Sequence, residues 1–114
     1  MSEKLYDLHT ILDIGGDDTA FIQEMVKMFA AITPDTLQEL GEAIRAENWT
    51  KAGSLAHSLK ANIISYGIAG MREVVLRLEK TATDEEMRQD AQEQYDLLLR
   101  VCLEAIRQMQ DDYQ

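Results

Sequence analysis

Little in this chain interrupts a helix. Its 114 residues include one proline, and no apolar run approaches the roughly 18 residues a membrane span needs. The single cysteine, Cys102, sits in an apolar helical stripe and reads as a small core residue in a reducing, cytoplasmic setting. The N-terminal Met1-Ser2-Glu3-Lys4 has neither a basic n-region nor an apolar h-region, so no signal peptide is expected. Basic residues are scarce: 11 against 21 acidic ones, for a net charge of −10, which argues against nucleic acid as a partner.

Present instead is a composition for a folded helical protein, 46% hydrophobic and 28% charged. One domain, residues 1–114, is long enough to bury a single core without disulfides or metal. The charge is unevenly spread. Residues 1–39 and 81–114 each carry −6, whereas residues 40–80 carry +2. A docking site for an anionic partner or a phosphoryl group would look like this, as would chance on a short chain.

Leu5, Leu8, Ile11 and Leu12 predict a brief N-terminal helix across the end of the domain, broken by Gly15-Gly16. His9 falls here, without a sequence neighbour that suggests a site. Asp17 or Asp18 is expected to cap the next helix, with Phe21, Ile22, Met25, Val26, Phe29 and Ile32 on its stripe. Thr33-Pro34 then suits a fresh start, Thr33 capping and Leu37, Leu40 and Ile44 facing the core. One helix kinked at Pro34 or two helices both fit residues 18–46.

Thr50 is a plausible cap for the following helix, and Gly67 is expected to end it. Met71, Val74, Val75 and Leu78 mark another helix to about Thr81. Thr83-Asp84-Glu85-Glu86 has capping-box spacing and is expected to open the last helix, with Met87, Ala91, Tyr95, Leu98, Cys102, Ala105 and Met109 in period. With no strand pattern, the fold class is all-α: an up-and-down antiparallel four-helix bundle plus a short N-terminal helix.

The most informative stretch is Ala56-His57-Ser58-Leu59-Lys60-Ala61-Asn62. At roughly 100° per residue, Ala52, Leu55, Ala56, Leu59 and Ile63 gather on the core side. Gly53, Ser54, His57, Lys60 and Ala61 gather opposite, so an imidazole ringed by small residues and one lysine is predicted to face outward. Two distant histidines without thiol or carboxylate at ligand spacing disfavour a metal site, and no cofactor of its own is expected. Ser58 is about 100° around the helix from His57, which disfavours a nucleophile–base pair. General acid–base work needs a pocket that a bundle surface does not supply. Phosphoryl acceptance needs an open imidazole nitrogen, room for a donor and a nearby cation, which His57 and Lys60 supply. On periodicity alone, a solvated histidine of no consequence stands level with that reading.

Ala56-His57-Ser58-Leu59-Lys60-Ala61, with Gly67 ten residues past the histidine, resembles the signature of histidine-containing phosphotransfer (HPt) domains. Asp13-Ile14-Gly15-Gly16-Asp17, Phe21-Ile22 with Phe29, Pro34, Leu37 with Leu40, Trp49 and Leu78-Glu79 also resemble that family, over nearly the whole chain. The resemblance implies that His57 accepts a phosphoryl group, that Lys60 supports it, and that the chain is a carrier rather than an enzyme. It implies receiver domains and a hybrid sensor histidine kinase as partners, the receiver contributing the acidic pocket and Mg²⁺. Ala61 departs from the family pattern, which has glycine there; one added methyl narrows access to His57 without closing it.

Glu79 is a further candidate, because in an antiparallel hairpin turning at Gly67 it reaches the height of His57 and could orient the imidazole. A plain surface glutamate is the equal alternative. Gly53, Ser54, Ala61, Ile64 and Gly67 are expected to border a partner. The expected protein is a free-standing, monomeric, cytoplasmic relay intermediate, away from membranes. The rival reading is a helical adaptor that binds receivers without taking phosphate.

Overall fold

Of the helix-breaking residues, Gly15, Gly16, Gly67 and Gly70 fall at helix ends or between helices, whereas Pro34, Gly41 and Gly53 lie inside helices. The computed structural model describes residues 3–16 and 18–113. It contains α1 (His9–Gly15), α2 (Thr19–Arg45), α3 (Trp49–Ser65), α4 (Arg72–Lys80), a 3₁₀ turn (Glu85–Arg88) and α5 (Ala91–Asp112). The described residues include no strand.

Pro34 lies inside the 27-residue α2. The segment is therefore one helix. It starts at Asp18, whose carboxylate accepts from Ala20 N at 3.0 Å and Phe21 N at 3.3 Å; Asp17, the other expected cap, lies outside the described residues. A stripe of Ile22, Val26, Phe29, Thr33, Leu37, Leu40 and Ile44 runs unbroken through the proline. That spacing of three and four places Thr33 in the core rather than at a cap. Ile32, expected in the core, falls 100° aside and is 53% exposed. Phe21 and Met25 are half-buried.

The next corner also differs in detail. Glu47 adopts a left-handed φ of 55°, while Asn48 N bonds Ala43 O at 2.8 Å and Glu47 N bonds Ile44 O at 3.0 Å. This is the paired closure usually built on glycine. Asn48, not Thr50, caps α3, accepting from Lys51 N at 3.3 Å. At the far end of α3 the same closure recurs, with Ile68 N to Ile63 O at 3.0 Å, Gly67 N to Ile64 O at 3.1 Å and Gly67 at φ 58°. Gly67 thus ends this helix as its position predicts.

The capping sequence near residue 84 opens the 3₁₀ turn instead of α5. Asp84 rather than Thr83 supplies the side-chain cap, accepting from Glu86 N at 3.0 Å. Arg88 folds this connection back: its Nε donates to Thr81 O at 2.7 Å and its guanidinium lies 5.6 Å from the Trp49 ring centroid. Met87 is consequently half-buried outside α5, whereas Ala91, Tyr95, Leu98, Cys102, Ala105 and Met109 are buried on it.

Long-range contacts set the helix directions. Tyr66, just after α3, stacks on Phe29 with centroids 4.3 Å apart, and its hydroxyl donates to Met25 O at 2.9 Å. Gly41 of α2 faces Tyr95 of α5, and Arg77 of α4 donates to Asp90 Oδ2, just before α5, at 2.8 Å. Each helix packs on the next and α5 packs back on α2, which closes an antiparallel four-helix bundle. A strap of residues 3–7 crosses one end of it. Leu5 N donates to Gln108 Oε1 at 2.7 Å and Asp7 N to Tyr66 O at 3.1 Å, and Ala69 N donates to Leu5 O at 3.0 Å. Tyr6, buried in this strap, hydrogen-bonds Asp112. Leu8 and Ile11 are buried beside it, while Leu12 is exposed. His9 is exposed and has a partner the sequence reading did not find: Asp13 Oδ2, one turn on, lies 3.3 Å from its Nε2.

Candidate functional site

The polar side chains that meet across the α3–α4 hairpin are His57, Lys60 and Glu79. Ala52, Ala56, Leu59 and Ile63 bury one side of α3, and Val74, Val75 and Leu78 bury one side of α4. Positions at the margins of these stripes are left at the seam. His57 lies there with its side chain 69% exposed, and its Nδ1 hydrogen-bonds Glu79 Oε2. An ionised carboxylate can only accept, so Nδ1 carries the hydrogen, and in the neutral imidazole Nε2 is the nitrogen with the lone pair. Among the described residues Nε2 has no hydrogen-bond partner.

Lys60, one turn on, is 29% exposed and reaches the same carboxylate, with Nζ 3.0 Å from Oε1 and 3.1 Å from Oε2. The hydrogen bond from His57, then that from Lys60, holds the Glu79 carboxyl below the ordinary glutamate range. One carboxylate therefore fixes the imidazole tautomer and anchors an ammonium beside it. In its neutral form the imidazole presents a nucleophilic nitrogen to solvent with a cation within a helical turn. Among the described residues no three His, Cys, Asp or Glu side chains converge as metal ligands. No helix there is long and apolar enough to cross a membrane.

Comparison with known families places the chain as a whole. The family model described as Hpt domain matches residues 24–109 of the 114-residue chain. This chain belongs to the Hpt domain family. A search of curated proteins found no match, and a search of solved structures found none. Hpt domains are phosphocarrier modules rather than catalytic enzymes, serving histidine phosphotransfer in phosphorelays and working with receiver domains and kinases.

In this Hpt domain the residues expected to border a partner divide into two groups. Ser54, Ala61 and Ile64 are exposed on α3 around His57. Gly53 is not outward-facing: it is buried against α4, where a β-carbon would lie 2.6 Å from Ala82 Cβ and 2.8 Å from Glu79 O. Its position on the helical wheel is at the flank, and α4 covers that flank. Gly67 is half-buried beside the strap, where a β-carbon would lie 2.5 Å from Asp7 O. Its left-handed φ of 58° serves the turn that ends α3. The Lys60–Glu79 pair was not anticipated, although the hairpin register that placed Glu79 opposite His57 also places it opposite Lys60.

Proposed function

We propose that this Hpt domain accepts a phosphoryl group on His57 Nε2 from a receiver-domain aspartate and passes it to the aspartate of another receiver. The observation that carries the reading is the Glu79 bond to Nδ1 of an exposed imidazole, which leaves Nε2 as the open nucleophile. In the forward step an Nε2–P bond forms as the aspartyl O–P bond breaks, and the receiver's carboxylate leaves with the electron pair. The Nδ1 hydrogen stays on the imidazole, facing Glu79. The charge that develops on the ring is balanced by that carboxylate, which makes Glu79 a positioning residue. Lys60, adjacent to Glu79, supports the incoming phosphoryl oxygens. Mg²⁺ and the acidic pocket are the receiver's contribution. A hybrid sensor histidine kinase is the expected source of phosphate, and a cytoplasmic monomer is the expected form.

The test is incubation with a phosphorylated receiver. Acid-labile, base-stable label should appear on the wild-type chain and be absent from His57→Gln. That substitution should shift stability by no more than about 0.5 kcal/mol, because the side chain projects into solvent. Equal labelling of the two proteins would remove His57 from the relay.

A further inference from the structure

Glycine is unfavourable in the middle of a helix, yet Gly53 stands inside α3, one turn before His57. Backbone freedom does not account for it. The glycines with positive φ are Gly16, Gly67 and Gly70, so the backbone at Gly53 would accept any L residue. Space does account for it. A β-carbon there would sit 2.6 Å from Ala82 Cβ and 2.8 Å from the main-chain oxygen of Glu79, both inside the 3.0 Å that β-carbons keep from other atoms. The residue pressed against Gly53 is therefore the one whose carboxylate holds both His57 and Lys60.

We propose that Gly53 is a positioning residue of the phosphoryl-acceptor site, its missing side chain seating the Glu79 backbone on α3 so that one carboxylate spans His57 Nδ1 and Lys60 Nζ. This rests on the reading of His57 as the acceptor. The height of Glu79 along α4 comes from the hairpin register, whereas its distance from α3 comes from Gly53 and Ala82. A methyl at position 53 moves a main-chain atom of Glu79 outward by several tenths of an ångström. Hydrogen bonds weaken steeply when donor and acceptor separate or misalign. The two bonds must also be met at once, which restricts the side-chain rotations available to compensate. Ala82 is the counterpart on the other side, and its small size serves the same approach.

The experiment uses the whole chain and two measurements on Gly53→Ala. The first is the ¹⁵N spectrum of the His57 imidazole, which reports which ring nitrogen bears hydrogen and whether Nδ1 is bonded. The second is the rate of label uptake from a phosphorylated receiver. The spectrum of Gly53→Ala is expected to move toward that of Glu79→Ala, and uptake is expected to fall at least tenfold while helical circular dichroism is unchanged. Adding Ala82→Gly to Gly53→Ala removes one of the two clashes and should recover part of both signals. Should Gly53→Ala fail to fold, Ala82→Val crowds the same contact from the other side and is read in the same way. A wild-type imidazole spectrum in the folded variant would overturn the proposal. Absence of label on the wild-type protein would instead overturn the relay reading, and the spectrum would still judge Gly53.

Discussion

Lys60 lies on the carboxylate of Glu79, its Nζ 3.0 Å from one oxygen and 3.1 Å from the other. An arriving phosphoryl group, with about −1.5 to −2 charges, therefore competes with Glu79 for an ammonium that is already engaged. At rest the exchange is worth little, since an accessible ion pair contributes only ~0.2–1 kcal/mol. Beneath a docked receiver, with water displaced, the same charge counts for more.

Lys60→Ala should consequently slow phosphoryl transfer clearly while changing affinity for the unphosphorylated receiver by less than about twofold. An adaptor that only docks receivers gives the reverse, because Lys60 would then act mainly on association. Transfer kinetics and receiver titration on this one variant separate the two. A large affinity loss with unchanged transfer would end the supporting role of Lys60.

Ala61 is exposed beside His57. Ala61→Leu should hinder the donor and slow transfer with little change in urea midpoint. Ala61→Gly should transfer at least as fast but lose about 1 kcal/mol of helix stability. Denaturation curves and transfer rates on the pair check both statements.

Thr33 is fully buried and its hydroxyl has no hydrogen-bond partner. Burying an unsatisfied hydroxyl costs about 1–3 kcal/mol, and valine replaces it with a methyl of similar shape. Thr33→Val should therefore raise stability by about 1 kcal/mol, seen as a higher urea midpoint at unchanged slope. A lower midpoint would mean that the hydroxyl is satisfied in solution.

Three carboxyls are held low by their partners, Glu79 by His57 and then Lys60, Glu104 by Arg107, and Asp112 by Tyr6 and then Lys4. A carboxyl depressed on folding stabilises the native state above its unfolded value, and that contribution is lost as pH falls through the folded value. Stability should hence decline as pH drops below the ordinary values of 4.5 for glutamate and 3.8 for aspartate. Urea midpoints measured down through this range should fall less steeply in Glu79→Gln than in the wild type. Identical slopes would show that the Glu79 contacts contribute nothing to acid sensitivity.

Much of the bundle was legible because its stripes are long. Leu37, Leu40, Ile44, Val75, Leu78, Leu98 and Met109 are buried as the helical period predicts. Errors fall where two signals compete. Thr33-Pro34 carries a helix-start pattern, but a core stripe continuing on both sides overrides it. Thr83 to Glu86 carries a helix-start pattern too, yet it opens a separate 3₁₀ turn, tied back by the contacts of Arg88, rather than α5. At the site, His57, Lys60 and Glu79 could be placed from spacing and register. Gly53 could not, since one helix alone does not reveal which of its flanks a neighbour will cover.

The bonds that shape this protein differ in how much chain they must gather. The strap joins Leu5 to Gln108, 103 residues apart, while the bond between His57 and Glu79 spans 22. By the logarithmic growth of loop-closure entropy, the shorter closure is easier by about 1.4 kcal/mol. Folding can therefore assemble the α3–α4 hairpin from local encounters before the two distant segments meet. The reacting residues therefore occupy a part of the fold whose closure needs less chain ordering than the strap's.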